Sequence, residues 1–316
     1  MGRRMDRGEG VVVATRTVER SGLIVADAVG AARWRRRRAF NTWSWRAFLA
    51  VVGLMLFGPL AILVLFSFND SNVLAFPLEG VTTKWYSEAL TDPVLRQALA
   101  NSFSVAFIVA PLCLVLGTLA AFGLTRFRFA GRGVIGGLVG APLVLPWLII
   151  GIAALMGYAR ANIDLSLKTV IATQTVCTFP LVTAIVAAQL FRFQKVQEEA
   201  AIDLGCSRLQ VLRHIVLPHI GPALAAAAIF AFAWSFNNYE ISAFVLGFQQ
   251  TFPVWVYSNV RNPDHTAIVN AISAVISAGQ VVLIWFALKL MRTRSGDRAT
   301  TELIAGTEAV AAAAKT

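Results

Sequence analysis

Charge is what this sequence has least of. Only 14% of its residues are Asp, Glu, Lys or Arg, against about 25% in an ordinary soluble domain. Hydrophobic residues make up 57% of the 316 positions, a composition that belongs to a membrane protein. Cysteine is scarce as well. Cys113 and Cys177 lie in apolar runs and Cys206 stands between two others, an odd set with neither a disulfide framework nor zinc spacing. His214, His219 and His265 add no metal pattern. A GxxxxGK[ST] phosphate loop is missing, so the chain does not hydrolyse ATP by that route. Neither a Ser-His-Asp set nor paired catalytic carboxylates stand out. The reading is a non-enzyme without cofactor or metal. One string, Gly131-Arg132-Gly133-Val134-Ile135-Gly136, has GxGxxG spacing. It lies between two apolar runs with no strand before it, and pyrophosphate binding needs a strand and a helix N-terminus. Gly133, Gly137 and Gly140 are instead read as letting one helix approach another.

What is present is long uncharged stretches. Six runs, residues 47–68, 102–124, 134–158, 169–190, 220–239 and 266–288, each come near or exceed the roughly 20 residues that cross a bilayer. Spanning segments must satisfy their own backbone, so six transmembrane helices are expected. Pro59, Pro111, Pro142, Pro146 and Pro180 fall inside these runs, where neighbouring helices and water compensate for the lost hydrogen bonds. Net charge is +11, yet the basic residues sit in blocks between the runs, which argues against nucleic acid. Residues 1–46 hold eleven Lys/Arg, among them the run 35–38 beside Trp34. They read as a cytoplasmic extension meeting anionic lipid, with Trp34, Trp43 and Trp45 as interfacial anchors. With that end inside, the inner segments carry 23 of the 28 Lys/Arg and the outer loops five. The asymmetry places both termini in the cytoplasm. The resulting division is an N-terminal extension (1–46), a six-span domain (47–290) and a cytoplasmic tail (291–316).

Residues 198–222, EEAAIDLGCSRLQVLRHIVLPHIGP, interrupt the apolar pattern on the inner side. Glu198 and Glu199 suit a first helical turn, where carboxylates meet the positive end of the dipole. Ala200, Ala201 and Leu204 make a small apolar face. Gly205 stands where a left-handed cap is needed. Ser207 suits the N-cap of a second helix with Leu209, Leu212 and Ile215 on one side, and Pro218 is expected to stop it. Glu199-Ala200-Ala201, Gly205, Ile215, Leu217 and Pro218 resemble, at every fixed position, the EAA loop of ABC importer permeases.

That resemblance implies an all-α, type I ABC importer permease bundle in a bacterial inner membrane. It implies that Glu199, Ala200, Ala201, Gly205, Ile215, Leu217 and Pro218 dock into an ATPase. The partners it implies are two ATP-binding subunits, a second permease subunit of a different chain, an extracytoplasmic solute-binding protein and membrane lipid. Further strings are similar to the spermidine/putrescine permease group: Ser67-Phe68-Asn69, Thr83-Lys84-Trp85-Tyr86, residues 126–131 and residues 235–242. Together they cover about residues 47–290. The implied solute is a polyamine; iron, thiamine or an opine-like compound suits the same machinery. A secondary transporter is the rival from another class, and it fits poorly with an intact coupling loop and without visible inverted repeats.

Asn237, Asn238 and Glu240 close an otherwise uncharged run. A carboxylate near a membrane helix end is costly to bury and faces water, a pathway or a partner. Polyamine permeases often carry acids where Asn237 and Asn238 stand. If the helix continues, Asn237 and Glu240 are three apart and share a face. Two readings stay open for this cluster: the lining of a solute pathway, or a helix end emerging at the outer interface.

Overall fold

The computed structural model describes residues 43–72, 75–193, 195–285 and 289. The expected N-terminal extension, Trp34 included, and the tail from 291 lie outside the described residues but for 43–46. By contacts the chain divides into two units, residues 1–62 and 63–316. Helix α1 (Trp43–Ser67) supplies the described part of the first and enters the second.

In the second unit, the chain leaves α1 through a loop tied by Trp85 Nε1 donating to the Asn69 carbonyl at 2.8 Å. The short α2 (Lys84–Thr91) then leads into α3 (Pro93–Arg126). Asp92 caps α3 by accepting from the Val94 and Leu95 amides, and Pro93 occupies the first position, where a missing N–H costs nothing. Next come α4 (Arg132–Gly140) with a short 3₁₀ turn (Ala141–Leu143), α5 (Trp147–Arg160) and α6 (Leu167–Arg192). After α7 (Lys195–Asp203), α8 (Arg208–Val211) runs without a break through Leu212–Val216 into α9 (Leu217–Phe236). The chain ends its described course with α10 (Ser242–Val245), α11 (Phe252–Asn259) and α12 (Thr266–Trp285). No β-strand occurs among the described residues; Asn69 and Val81 form one isolated bridge.

Helices α3, α6 and α9 pack against one another and form the core. Val105, Val109, Val170, Val182, Val186 and Ile220 are buried there. At Gly117 of α3 an added Cβ would lie 2.7 Å from Val182 Cβ and 2.9 Å from the Phe179 carbonyl, both on α6. Only glycine allows that approach, as small residues do at membrane helix contacts.

Five helices are long and apolar enough to cross a membrane, and α4 with α5 makes a sixth candidate bent by 102°. Here the expectation that Pro142 and Pro146 sit inside one continuous helix is corrected. Pro142 falls in the 3₁₀ turn and Pro146 precedes α5 in an extended conformation, so the third run breaks between them. The contacts still carry the chain across. Arg126, at the end of α3, pairs with Glu198 beyond the end of α6. At the opposite end, Asn101 Nδ2 of α3 donates to the Gln250 carbonyl and the Leu167 amide of α6 donates to Gln249 Oε1. Thus α3 and α6 run in the same direction, and α4–α5 must return the chain between them.

Candidate functional site

Residues 198–222 begin from a fixed base. Phe193 is buried just past α6. Glu198, in the first turn of α7, meets the Arg126 guanidinium at 2.5 Å. Ala201 is the buried residue of α7. The expected apolar face of Ala200, Ala201 and Leu204 is therefore split: Ala201 packs inward, while Ala200 and Leu204 (86% exposed) face outward. Helical spacing finds residues on one side of a helix but not what that side meets.

Gly205 has φ +91°, the left-handed conformation expected of it. The Cys206 amide donates to the Ala201 carbonyl at 3.0 Å and the Gly205 amide to the Ile202 carbonyl at 2.9 Å. This crossed pair is a Schellman motif, which satisfies the last carbonyls of α7. Ser207 and Gln210 then cap α8 reciprocally, Ser207 N to Gln210 Oε1 at 2.8 Å and Gln210 N to Ser207 Oγ at 3.3 Å. Cys206, between the two caps, is exposed.

Two expectations for the second helix are corrected. Its inward side is Val211, Leu212, Ile215 and Val216, with Leu209 turned out at 72% exposure. Pro218 does not stop it. The turn just before, Leu212–Val216, is π-helical, with the Leu217 amide donating to the Leu212 carbonyl. A widened turn absorbs the proline, which lacks an N–H and crowds the carbonyl four residues back. The helix from Arg208 to Phe236 therefore joins the loop directly to a membrane span. Of the seven motif residues, Glu199, Ala200, Gly205, Leu217 and Pro218 are exposed, Ala201 is buried and Ile215 is half-buried. Val196, Ile202, Leu204 and Leu209 add exposed apolar side chains to this end of the molecule.

At the other end of α9 the helix stops at Phe236, so Asn237 and Glu240 do not share a helical face. The three residues part company. Asn238 is buried; its Oδ1 accepts the Ile241 amide at 3.1 Å and its carbonyl accepts Ser242 Oγ at 2.8 Å. Ser242 in turn accepts from Gln174 Nε2 at 3.0 Å, and Gln174 Oε1 accepts Ser235 Oγ at 2.6 Å. A buried glutamine of α6 thus pins both sides of the break. Asn237 is exposed, its Oδ1 accepts Gln280 Nε2 at 3.1 Å, and it lines an open, mostly apolar recess of about 440 Å³ in which Tyr239, Tyr257, Ser273, Ser277 and Gln280 sit among Phe252, Pro253, Val256, Val260 and Ile276. The Tyr239 and Tyr257 rings pack against each other tilted by 33°, with centroids 4.5 Å apart. Glu240 is exposed and lies outside that lining. Its backbone carbonyl approaches Gly151 of α5 so closely that an added Cβ would lie 2.9 Å away.

The sequence reading missed Gln174, Tyr257, Ser273, Ser277 and Gln280. A glutamine in the middle of an apolar run is the signal that marks the first, since such a side chain must find a partner in the membrane. The others become neighbours of Asn237 only through tertiary packing.

The bundle of membrane helices thus bears a capped, outward-facing helical turn at one end and, at the other, an open recess that mixes polar and apolar side chains. Residues 113–293 match the family described as binding-protein-dependent transport system inner membrane component. The chain is 34% identical over 267 residues to the putrescine transport system permease protein PotI of Escherichia coli (strain K12), covering 80% of this chain and 93% of that one. It is 30% identical to the spermidine/putrescine transport system permease protein PotC of the same strain, covering 75% and 89%. Its fold is similar to a chain in the crystal structure of a bacterial ABC transporter involved in the import of the acidic polysaccharide alginate, with TM-score 0.64 and 17% identity over 80% of this chain and 96% of that one. The chain belongs to the binding-protein-dependent inner-membrane permease family. It is a multi-pass inner-membrane permease subunit of an importer, and not an enzyme.

Proposed function

We propose that this chain forms half of the membrane pathway of an ATP-driven polyamine importer. The rest of the assembly is two ATP-binding subunits, a second permease of a different chain and an extracytoplasmic binding protein. The observation that carries the reading is the outward presentation of Glu199, Ala200 and Gly205, with Leu204 and Leu209, on a loop capped at both turns. An apolar surface held in one conformation suits docking to a partner. The similarity to PotI and PotC supports putrescine or spermidine as the solute. The recess at Asn237 also supports it: its amides and hydroxyls replace lost hydration, and its aromatic faces attract ammonium groups. Asn238 holds the helix break that shapes the recess, and Glu240 draws the cation toward it from outside.

ATP closure of the motor subunits moves residues 198–222, and the helix from Arg208 to Phe236 passes the movement to the recess. Proteoliposomes carrying the full complex test this. Radiolabelled putrescine or spermidine is expected to accumulate only with ATP and the binding protein. Uptake without ATP would establish a secondary transporter, and uptake of iron, thiamine or an opine-like solute instead would replace the polyamine. Glu240→Gln keeps shape and removes charge, so uptake at subsaturating polyamine is expected to fall. A wild-type rate places Glu240 off the pathway.

A further inference from the structure

We infer that the Arg126–Glu198 ion pair is the link through which the coupling loop moves α3, and through α3 the outer side of the recess. The inference rests on the reading of residues 198–222 as an ATPase-docking loop. Two observations carry it: the isolation of this pair, and the contacts at the far end of the helix it belongs to.

Arg126 is the last residue of α3, and Glu198 lies in the first turn of α7. Each charge also suits the dipole of its own helix, a cation at a C-terminus and an anion at an N-terminus. The side chains are only 13% and 22% exposed, so water screens the pair far less than it would on an open surface. Neither Arg126 Nε and Nη2 nor Glu198 Oε1 makes a hydrogen bond among the described residues, so the contact is an ion pair by proximity, and Glu198 is the carboxylate that the guanidinium meets there. Beneath it lies the Phe193 ring, 5.8 Å from the guanidinium carbon. That ring packs 4.6 Å from the His219 imidazole, near the start of α9. The junction therefore gathers the ends of α3, α6, α7 and α9 around one charged contact.

From Arg126, α3 runs 34 residues to Pro93, about 51 Å at 1.5 Å per residue. At its far end it grips the segment that closes the recess. Asn101 Nδ2 donates to the Gln250 carbonyl at 2.7 Å, and Ser102 Oγ accepts the Phe252 amide at 2.8 Å. Phe252 lines the recess. A displacement of α7 toward or away from the membrane thus pulls on α3 through Arg126, and α3 carries the pull to Gln250 and Phe252. This route is separate from the helix Arg208–Phe236, which reaches the same recess at Asn237. The loop holds the recess by two arms, and the ion pair is the joint of one of them.

The test uses the complete transport complex in proteoliposomes, with solute imported per ATP hydrolysed as the readout. A purely structural contact does not move that ratio in complexes that assemble. Glu198→Gln and Arg126→Gln are each expected to lower the ratio about five-fold or more, the low end of measured couplings between sites. The exchanged pair, Arg126→Glu with Glu198→Arg, is expected to recover most of the loss. An unchanged ratio in both single variants overturns the inference. So does loss of ATP-binding subunits from both purified complexes, because the pair then shapes the docking surface rather than transmitting from it. If Arg126→Gln alone does not assemble, Glu198→Gln decides by the same ratio. Failure of the wild-type complex to import any solute with ATP defeats the docking reading itself, a result distinct from all of these.

Discussion

At the scale of single residues, Gly205 shows a backbone requirement set by conformation and not by space. An added Cβ there meets nothing within 4 Å, so no clash opposes a side chain. The cost of substitution lies in φ +91° alone, roughly 1–2 kcal/mol for a residue other than glycine or asparagine. Gly205→Val is expected to leave the subunit folded and inserted while lowering both co-purification of the ATP-binding subunits and uptake. Gly205→Asn, which tolerates the left-handed region, is expected to retain most of both. Equal pull-down yields for wild type and Gly205→Val rule out the turn as a docking determinant. This glycine was legible in the sequence because few residues adopt its conformation and the helix signals on either side left it no other role. Leu204 and Leu209 were not legible in the same way. Periodicity groups apolar residues on a face, and both leucines instead face away from the core.

Among the elements, five spanning helices and the bent sixth candidate were readable from hydropathy, but the prolines in them were not equivalent. Pro111 and Pro180 lie within continuous α3 and α6. Pro142 and Pro146 break the third span, and Pro218 rides through a π turn. Whether a proline breaks a helix depends on which neighbours accept the freed carbonyls, and that is decided in three dimensions. The break after α9 has an identifiable fastener in Gln174, which bonds Ser235 before it and Ser242 after it. Gln174→Leu removes both bonds, each about 0.6 kcal/mol and at most about 1.7 in membrane helices. A stability loss of about 1–3 kcal/mol is expected, with faster amide exchange at Ile241 and Val245. Thermal unfolding in detergent and mass-resolved exchange measure the two. Unaltered exchange at those amides means that the break is held by the backbone alone.

For the whole molecule, orientation is the property everything else hangs on. On the 23-to-5 division of Lys and Arg, residues 198–222 are expected inside the cell. The common direction of α3 and α6 supports an even number of crossings between the end of α3 at Arg126 and that loop. Reporter fusions at Asn69, Asp164 and Asp264 are expected to read outside, and fusions at Arg128, Gln210 and Ser295 inside. A Gln210 fusion that reads outside reverses the bundle and removes the docking argument.

The turn between α7 and α8 has one more consequence, and it concerns thiol chemistry. Cys113 and Cys177 are sealed in the bundle, whereas Cys206 stands in the open, one residue past Gly205. The chain therefore carries one reachable thiol, in a turn capped on both sides. A spin label or fluorophore attached there tests the proposed movement of the loop without an engineered cysteine. Protection of that thiol from alkylation when the ATP-binding subunits are added measures the proposed docking of the turn.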